Sequence, residues 1–177
     1  MTVRLFRNAV DVGTALTRFR KLALRGTHIF NPDKLRRQQA IRKNDSIVRK
    51  SFEALKQRHV VRTNHYLGGA VVLHSAPGCK QQMWHVDYDP DKVSKKKVKP
   101  MGVILALEDH TRFVTPSIVY TMNRGDLLCF DGDDVHAGAA YERANTRLHM
   151  YIDVSTVNRP KNRTWLIANL TPDAKPR

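Results

Sequence analysis

The sequence predicts a mainly β fold with α-helices at its N-terminal end. Three observations carry this. Residues up to about 62 repeat apolar side chains at helical spacing, whereas from about residue 68 short β-rich runs alternate with turn residues. The length of 177 residues suffices for one core-bearing domain and not for two full ones. Many short strands with regular turn signals suit a β-sandwich or barrel better than alternating βαβ units.

In chain order, Ala9, Val10, Val12, Leu16, Phe19, Leu22 and Leu24 predict a first helix, stopped by Gly26. Asn31, Pro32 and Asp33 form a second start signal, opening a polar, basic helix over residues 34–43. Asp45 or Ser46 caps a third helix with an apolar stripe of Ile47, Val48, Phe52 and Leu55. The predicted strands are 69–75, 82–88, 102–107, 117–122, 126–130 and 147–154. Pro77-Gly78, a loop from Asp89 to Pro100, Pro116, Asn123-Arg124-Gly125 and Asp131-Gly132 separate them. The division expected is a basic helical N-terminal support over residues 1–62 and a β core with a short C-terminal tail over residues 63–177.

The net charge is +15 and is placed unevenly. Residues 1–62 hold 16 basic and 4 acidic side chains, and the remainder holds 15 and 12. A basic segment attracts nucleic acid, an acidic protein or anionic lipid, or it is a solvated face that keeps the protein soluble. The run Lys95-Lys96-Lys97 belongs to a loop and is expected to be exposed, a second candidate contact for a polyanion. No stretch approaches ~20 apolar residues, so no membrane span is expected. The N-terminus lacks a secretory pattern, and the two cysteines, Cys79 and Cys129, are expected as free thiols in an intracellular protein, cytoplasmic or nuclear.

The chemistry concentrates in three places. In Met83-Trp84-His85-Val86-Asp87-Tyr88, period-2 alternation projects His85 and Asp87 from one face of a strand. His136 follows the run Gly125–Phe130 and an acidic turn. Two histidines and a carboxylate can cap one face of an octahedral metal and leave three positions open, the donor set of non-heme Fe(II) oxygenases. Zinc on the same donors would suit a tetrahedral hydrolytic site, for which no Glu is placed as general base. In the last strand Arg147, His149, Tyr151 and Asp153 share one face, and Leu148, Met150, Ile152 and Val154 the other. A guanidinium on an inward face requires an anion, supplied either by a bound carboxylate or by an internal acid such as Asp153.

His85-x-Asp87, His136 and Arg147, in this order, resemble the pattern of the Fe(II)/2-oxoglutarate-dependent dioxygenases. Ser75-x-Pro77-Gly78 and Gln82 before the first motif, and Gly125-Asp126 before the distal histidine, agree with it, so that the resemblance covers about residues 68–155. The spacing of the arginine resembles the prolyl-hydroxylase-like and phytanoyl-hydroxylase-like groups. Arg159 and Arg163 match the alkylated-nucleobase repair pattern poorly. His149 departs from relatives that carry serine two residues after the arginine.

The resemblance implies a double-stranded β-helix, the cupin-like jelly roll. It implies that His85, Asp87 and His136 ligate Fe(II), and that Arg147 binds the distal carboxylate of 2-oxoglutarate. It further implies hydroxylation of a C–H bond with O2 as oxidant, or demethylation with loss of formaldehyde where the carbon is bonded to nitrogen. Tyr151 is a candidate hydrogen-bond partner of the co-substrate, and Tyr88, Lys95, Lys96 and Lys97 are candidate substrate contacts. Asp131, Asp133 and Asp134 either orient His136 or form a plain acidic turn. The substrate stays open between nucleic acid, a protein or peptide held under the 89–100 loop, and a small molecule. A non-catalytic polyanion-binding module on a jelly-roll scaffold is the alternative.

Overall fold

The computed structural model describes residues 3–28, 34–160 and 164–170. Its elements are β1 (Arg4–Phe6), α1 (Ala15–Leu24), β2 (Thr27–His28), β3 (Arg36–Ile41), α2 (Ser46–Gln57), β4 (His65–Ser75), β5 (His85–Val86), α3 (Pro90–Val93), β6 (Met101–Ala106), β7 (Thr111–Val114), β8 (Val119–Met122), β9 (Leu127–Asp131), β10 (Ala137–Gly138), β11 (Asn145–Val154) and β12 (Trp165–Leu166).

Alternation along the long strands builds the layers. In β11, Leu148, Met150 and Ile152 point to one side, and they join Val103 and Leu105 of β6, Leu127 and Cys129 of β9, and Ala70 and Val72 of β4 in one core. Phe19, Val48 and Leu55, all fully buried, close that core from α1 and α2. The reverse faces of β6 and β9 contribute Ile104, Ala106, Leu128 and Phe130, which pack on Phe113 and Met122. A seven-stranded antiparallel sheet in the order β1-β9-β6-β11-β4-β3-β2 thus has helices on one face and the small sheet β10-β7-β8 on the other. A third pair, β12-β5, is linked to the start of β10 by an isolated bridge between His85 and His136.

The N-terminal expectations need two corrections. The first helix spans 15–24 only, and Ala9 and Val10 instead donate their backbone N–H groups to the Gly125 carbonyl (2.9 and 3.0 Å). Leu24, expected in its apolar stripe, is 49% exposed. The basic helix expected over 34–43 is replaced by the strand β3, which pairs with β4 from Arg36 opposite Ser75 to Ile41 opposite Ala70. That stretch has few apolar residues to bury as a helix, and pairing with an eleven-residue strand outweighs its weak helical propensity. Asn31-Pro32-Asp33, its expected start signal, lies outside the described residues. Residues 1–62 therefore supply β1, β2 and β3 to the main sheet as well as α1 and α2.

Other local signals hold. The Asp45 carboxylate caps α2 by accepting from the Ile47 N–H (3.1 Å). Gly26 ends α1 where a Cβ would meet the Gln38 carbonyl of β3 at 2.0 Å, so no side chain fits there. The 89–100 loop, expected without regular structure, contains the short helix α3, capped by Asp89.

Asp126 ties the N-terminal segment to the core. Its buried carboxylate accepts from the backbone N–H of Asn8 (2.9 Å) and Asn123 (2.9 Å) and from Arg7 (2.7 Å). Burial alone would raise its pKa, but these donors outweigh burial and hold it below the usual carboxylate value. A depressed folded-state pKa gives stability that is present above the unfolded value, near 4, and is lost as pH falls through the folded value. Replacing Asp126→Ala is expected to cost about 2–4 kcal/mol from two orphaned N–H groups, read from the denaturant midpoint at neutral pH. The difference between wild type and variant should shrink below about pH 4.

Candidate metal centre

The site begins with a two-way backbone contact. His85 N–H donates to the His136 carbonyl (3.0 Å), and His136 N–H donates to the His85 carbonyl (2.9 Å). Residues paired in this way direct their side chains to the same face, and the two imidazole centroids lie 4.5 Å apart. Asp87 follows two residues after His85, and Tyr88 N–H anchors the chain there to the Gly132 carbonyl (3.0 Å). One donor atom from each of His85, Asp87 and His136 lies within 4.8 Å of the other two. All three residues are at most 6% exposed.

The hydrogen bonds around the histidines fix which nitrogen is available. His85 Nδ1 is 2.8 Å from the Met83 carbonyl, and His136 Nδ1 is 2.9 Å from the Asp134 carbonyl. A carbonyl only accepts, so each Nδ1 carries the proton and each Nε2 keeps its lone pair. The acidic turn thus orients His136 through a backbone oxygen of Asp134, while the Asp134 carboxylate accepts from Asp131 N–H (3.1 Å). Burial, with His85 close by, pushes the His136 pKa down to about 3 and keeps the ring neutral. Burial would raise that of Asp87, but His149 and His136 outweigh it and hold its carboxyl well below the usual range. Asp87 Oδ2 is buried and, among the described residues, accepts no hydrogen bond. Two imidazole lone pairs and a bare carboxylate oxygen facing one buried point fit a divalent metal.

A cavity of about 90 Å³ joins this group to Arg147, His149 and Tyr151. Arg147 is 3% exposed and donates to Ser75 Oγ (3.1 Å). Among the described residues no carboxylate lies within ion-pair distance of it. The internal partner considered for it, Asp153, is taken by Tyr88 Oη, which donates to Asp153 Oδ1 (2.6 Å), and by Arg159 Nε (3.3 Å). Tyr151 lies beneath the Arg159 guanidinium (3.9 Å to the ring centroid) and against His149 (4.4 Å between centroids).

Several expected contacts lie elsewhere. Tyr88 is fully buried and packs with Val93, Val154 and Val157; it is not among the residues lining the metal cavity. Lys95, Lys96 and Lys97 do not line that cavity either. Lys96 and Lys97 border a separate one of about 310 Å³, together with Arg4 and Arg62, and Lys95 is exposed.

Two residues gain roles that the sequence did not assign. His149 Nε2 lies 3.2 Å from Asp87 Oδ2, without hydrogen-bond alignment. Its place on the Arg147 face was the available signal. Arg36, fully buried, donates to Ser75 Oγ (3.0 Å) and to the Lys80 (2.5 Å) and Ala139 (2.6 Å) carbonyls. Nothing pointed to it, because it fell in an expected helix.

No family model matches the sequence, and no curated protein matches it. Solved structures do match. A viral collagen prolyl hydroxylase from Paramecium Bursaria Chlorella virus-1, in complex with 2OG, superposes with a TM-score of 0.61 at 14% identity, covering 85% of this chain and 94% of that one. HygX from Streptomyces hygroscopicus, with nickel and 2-oxoglutarate bound, gives a TM-score of 0.64 at 11% identity over 86% and 83% of the two chains. An oxidoreductase of the 2OG-Fe(II) oxygenase family from Burkholderia pseudomallei gives 0.58 at 13% identity over 91% and 87%. This chain is thus similar in fold to these solved structures, and a buried His-Asp-His group lines its cavity.

Proposed function

We propose that the protein is an Fe(II)- and 2-oxoglutarate-dependent oxygenase on a double-stranded β-helix, with His85, Asp87 and His136 as metal ligands and Arg147 as the anchor of the co-substrate's distal carboxylate. One observation carries the reading: a buried guanidinium without an acid partner among the described residues shares a cavity with a buried His-Asp-His group. A buried unpaired cation is costly, and a bound carboxylate removes that cost. When bound, iron, 2-oxoglutarate and O2 supply the oxidation of a substrate C–H bond, with succinate and CO2 as the other products.

The chain's own residues orient and enclose. The Met83 and Asp134 carbonyls hold both imidazoles in the tautomer that presents Nε2 to the metal. Phe130 and Phe113 pack on the His136 ring (centroids at 4.5 and 5.1 Å) and keep water from that side. An anaerobic visible spectrum with Fe(II) and 2-oxoglutarate tests the assignment. A charge-transfer band is expected in the wild type, absent in His85→Ala, and requiring at least about tenfold more 2-oxoglutarate in Arg147→Ala. No band from folded wild-type protein overturns the assignment and favours a non-catalytic polyanion-binding module.

For the substrate we propose a nucleic acid strand, supported by the 310 Å³ cavity. Arg4 from β1, Arg62 from the turn before β4, and Lys96 and Lys97 from the loop after α3 converge on it. His65 fastens its walls, accepting from Arg62 N–H at Nδ1 (3.0 Å) and contacting the Lys99 carbonyl through Nε2 (2.9 Å). Lys99 itself is bound by Asp133 (2.8 Å). Affinity for a single-stranded oligonucleotide should fall with salt at roughly −0.7 log units per log unit of salt for each phosphate contact. The Lys96→Gln/Lys97→Gln double variant should flatten that slope by about 1.4. Equal slopes would exclude this surface, and preference for an acidic peptide over the oligonucleotide would move the reading to a protein substrate.

A further inference from the structure

We infer that His149 is a positioning residue for Asp87: it donates its Nε2–H to the carboxylate and so sets that ligand for the metal. This rests on the metal ligands assigned in the oxygenase reading above.

Two of the three ligands already have an anchor. The Met83 carbonyl fixes the His85 ring, and the Asp134 carbonyl fixes the His136 ring. Asp87 Oδ2 has no such anchor, and the terminal torsion of an aspartate is broad, so the backbone alone does not decide how the carboxylate lies. His149 stands within reach of it. It lines the same cavity, its side chain is 8% exposed, and its Nε2 is 3.2 Å from Asp87 Oδ2. Among the described residues neither of these two atoms has a hydrogen-bond partner elsewhere.

The chemistry of the contact decides where the proton of His149 sits. A bare Nε2 would set two lone pairs against each other across 3.2 Å in a buried site, whereas an N–H there is attracted to the carboxylate. His136 Nε2 is also near, at 3.8 Å, but the proton of that ring is on Nδ1, so Nε2 cannot donate. His149 thus carries its proton on the nitrogen that His85 and His136 leave bare. Its ring is braced on several sides. β11 is paired on both edges at His149, opposite Ile104 of β6 and Val71 of β4. Tyr151 and Phe130 lie beside the imidazole, with centroids at 4.4 and 6.0 Å. Arg159 covers Tyr151 and binds Asp153, which accepts from the Tyr88 hydroxyl, and Tyr88 follows Asp87 in the chain. These contacts form a closed circuit of side chains that begins and ends at Asp87. His149 stands where some relatives carry serine, a shorter side chain with no ring to brace.

The experiment measures metal affinity alone, by calorimetric titration of metal-free protein with Co(II) and no keto acid. His149→Leu, which keeps the bulk and removes the donor, should bind Co(II) about ten- to a hundredfold more weakly than wild type. His149→Gln should bind close to wild type, because its amide N–H reaches about as far as Nε2–H. His149→Asn should be as weak as His149→Leu, because its amide stops at the position of Nδ1. The Gln and Asn pair decides the matter if His149→Leu does not fold. His85→Ala, which removes a ligand, should abolish binding. Unchanged affinity in His149→Leu and His149→Asn, or no recovery in His149→Gln, would overturn the inference while the oxygenase reading stands. Complete loss in His149→Leu, equal to that in His85→Ala, would make His149 itself a ligand and overturn the positioning role. A folded wild type that binds no Co(II) overturns the oxygenase reading instead.

Discussion

The reciprocal hydrogen bonds between His85 and His136 are the constraint on which the site depends. The two residues are 51 positions apart in the sequence, and neither lies in a long strand: β5 is two residues long, and His136 immediately precedes the two-residue β10. Without that bridge nothing local would hold the rings on one side. With it, the backbone sets the spacing and the Met83 and Asp134 carbonyls set the rotation. The His-Asp-His group is thus assembled from main-chain contacts, which few side-chain substitutions can displace. The long strands serve this arrangement by holding the large and small sheets around it.

Charge burial follows a consistent pattern. Asp126 is surrounded by donors, and Asp153 is shared between Tyr88 and Arg159. These acids are satisfied internally and stabilise the frame. Arg147 and Asp87 differ: each is buried and lines the same small cavity, and among the described residues the guanidinium has no acid partner and one carboxylate oxygen no hydrogen bond. Native proteins retain such unmet groups mainly where a ligand meets them. The contrast separates structural from functional charge more sharply than exposure does, since all four residues are at most 9% exposed.

Part of the site could be read from the sequence because its signals are local, whereas His136 is attached to His85 and Asp87 by the order of the motifs and by no local signal. Alternation along β11 puts Arg147 with His149; the strand expected over 82–88 shortens to β5 (His85–Val86), and Asp87 stands in the bend just past it. The main strands were legible for the same reason, as was the Asp45 cap of α2. What escaped depends on pairing between distant segments. The stretch 34–43 has little hydrophobic period of either kind; it becomes a strand because β4 offers an edge, and its Arg36 is satisfied by groups from residues 75, 80 and 139. Tyr88 sits next to Asp87 of the His-Asp-His group, yet its hydroxyl is taken by Asp153, 65 positions away. The lysine run was correctly expected at the surface, but only the folded chain brings Arg4 and Arg62 beside it.

The position of β11 in the main sheet has a consequence for how the chain folds. It stands between β6 and β4, with β9 and β1 beyond one and β3 and β2 beyond the other, yet it is the last strand of that sheet along the chain. During synthesis the sheet can form only as two half-sheets, each with an open edge, until this strand arrives to bridge them. Open edges are sites of mispairing and aggregation, and the closing contacts are distant in sequence, which makes the step slow. The same strand carries Arg147 and His149. The event that seals the sheet therefore also installs the Arg147 side of the cavity, so that partly folded chains expose their edges before the cavity is complete.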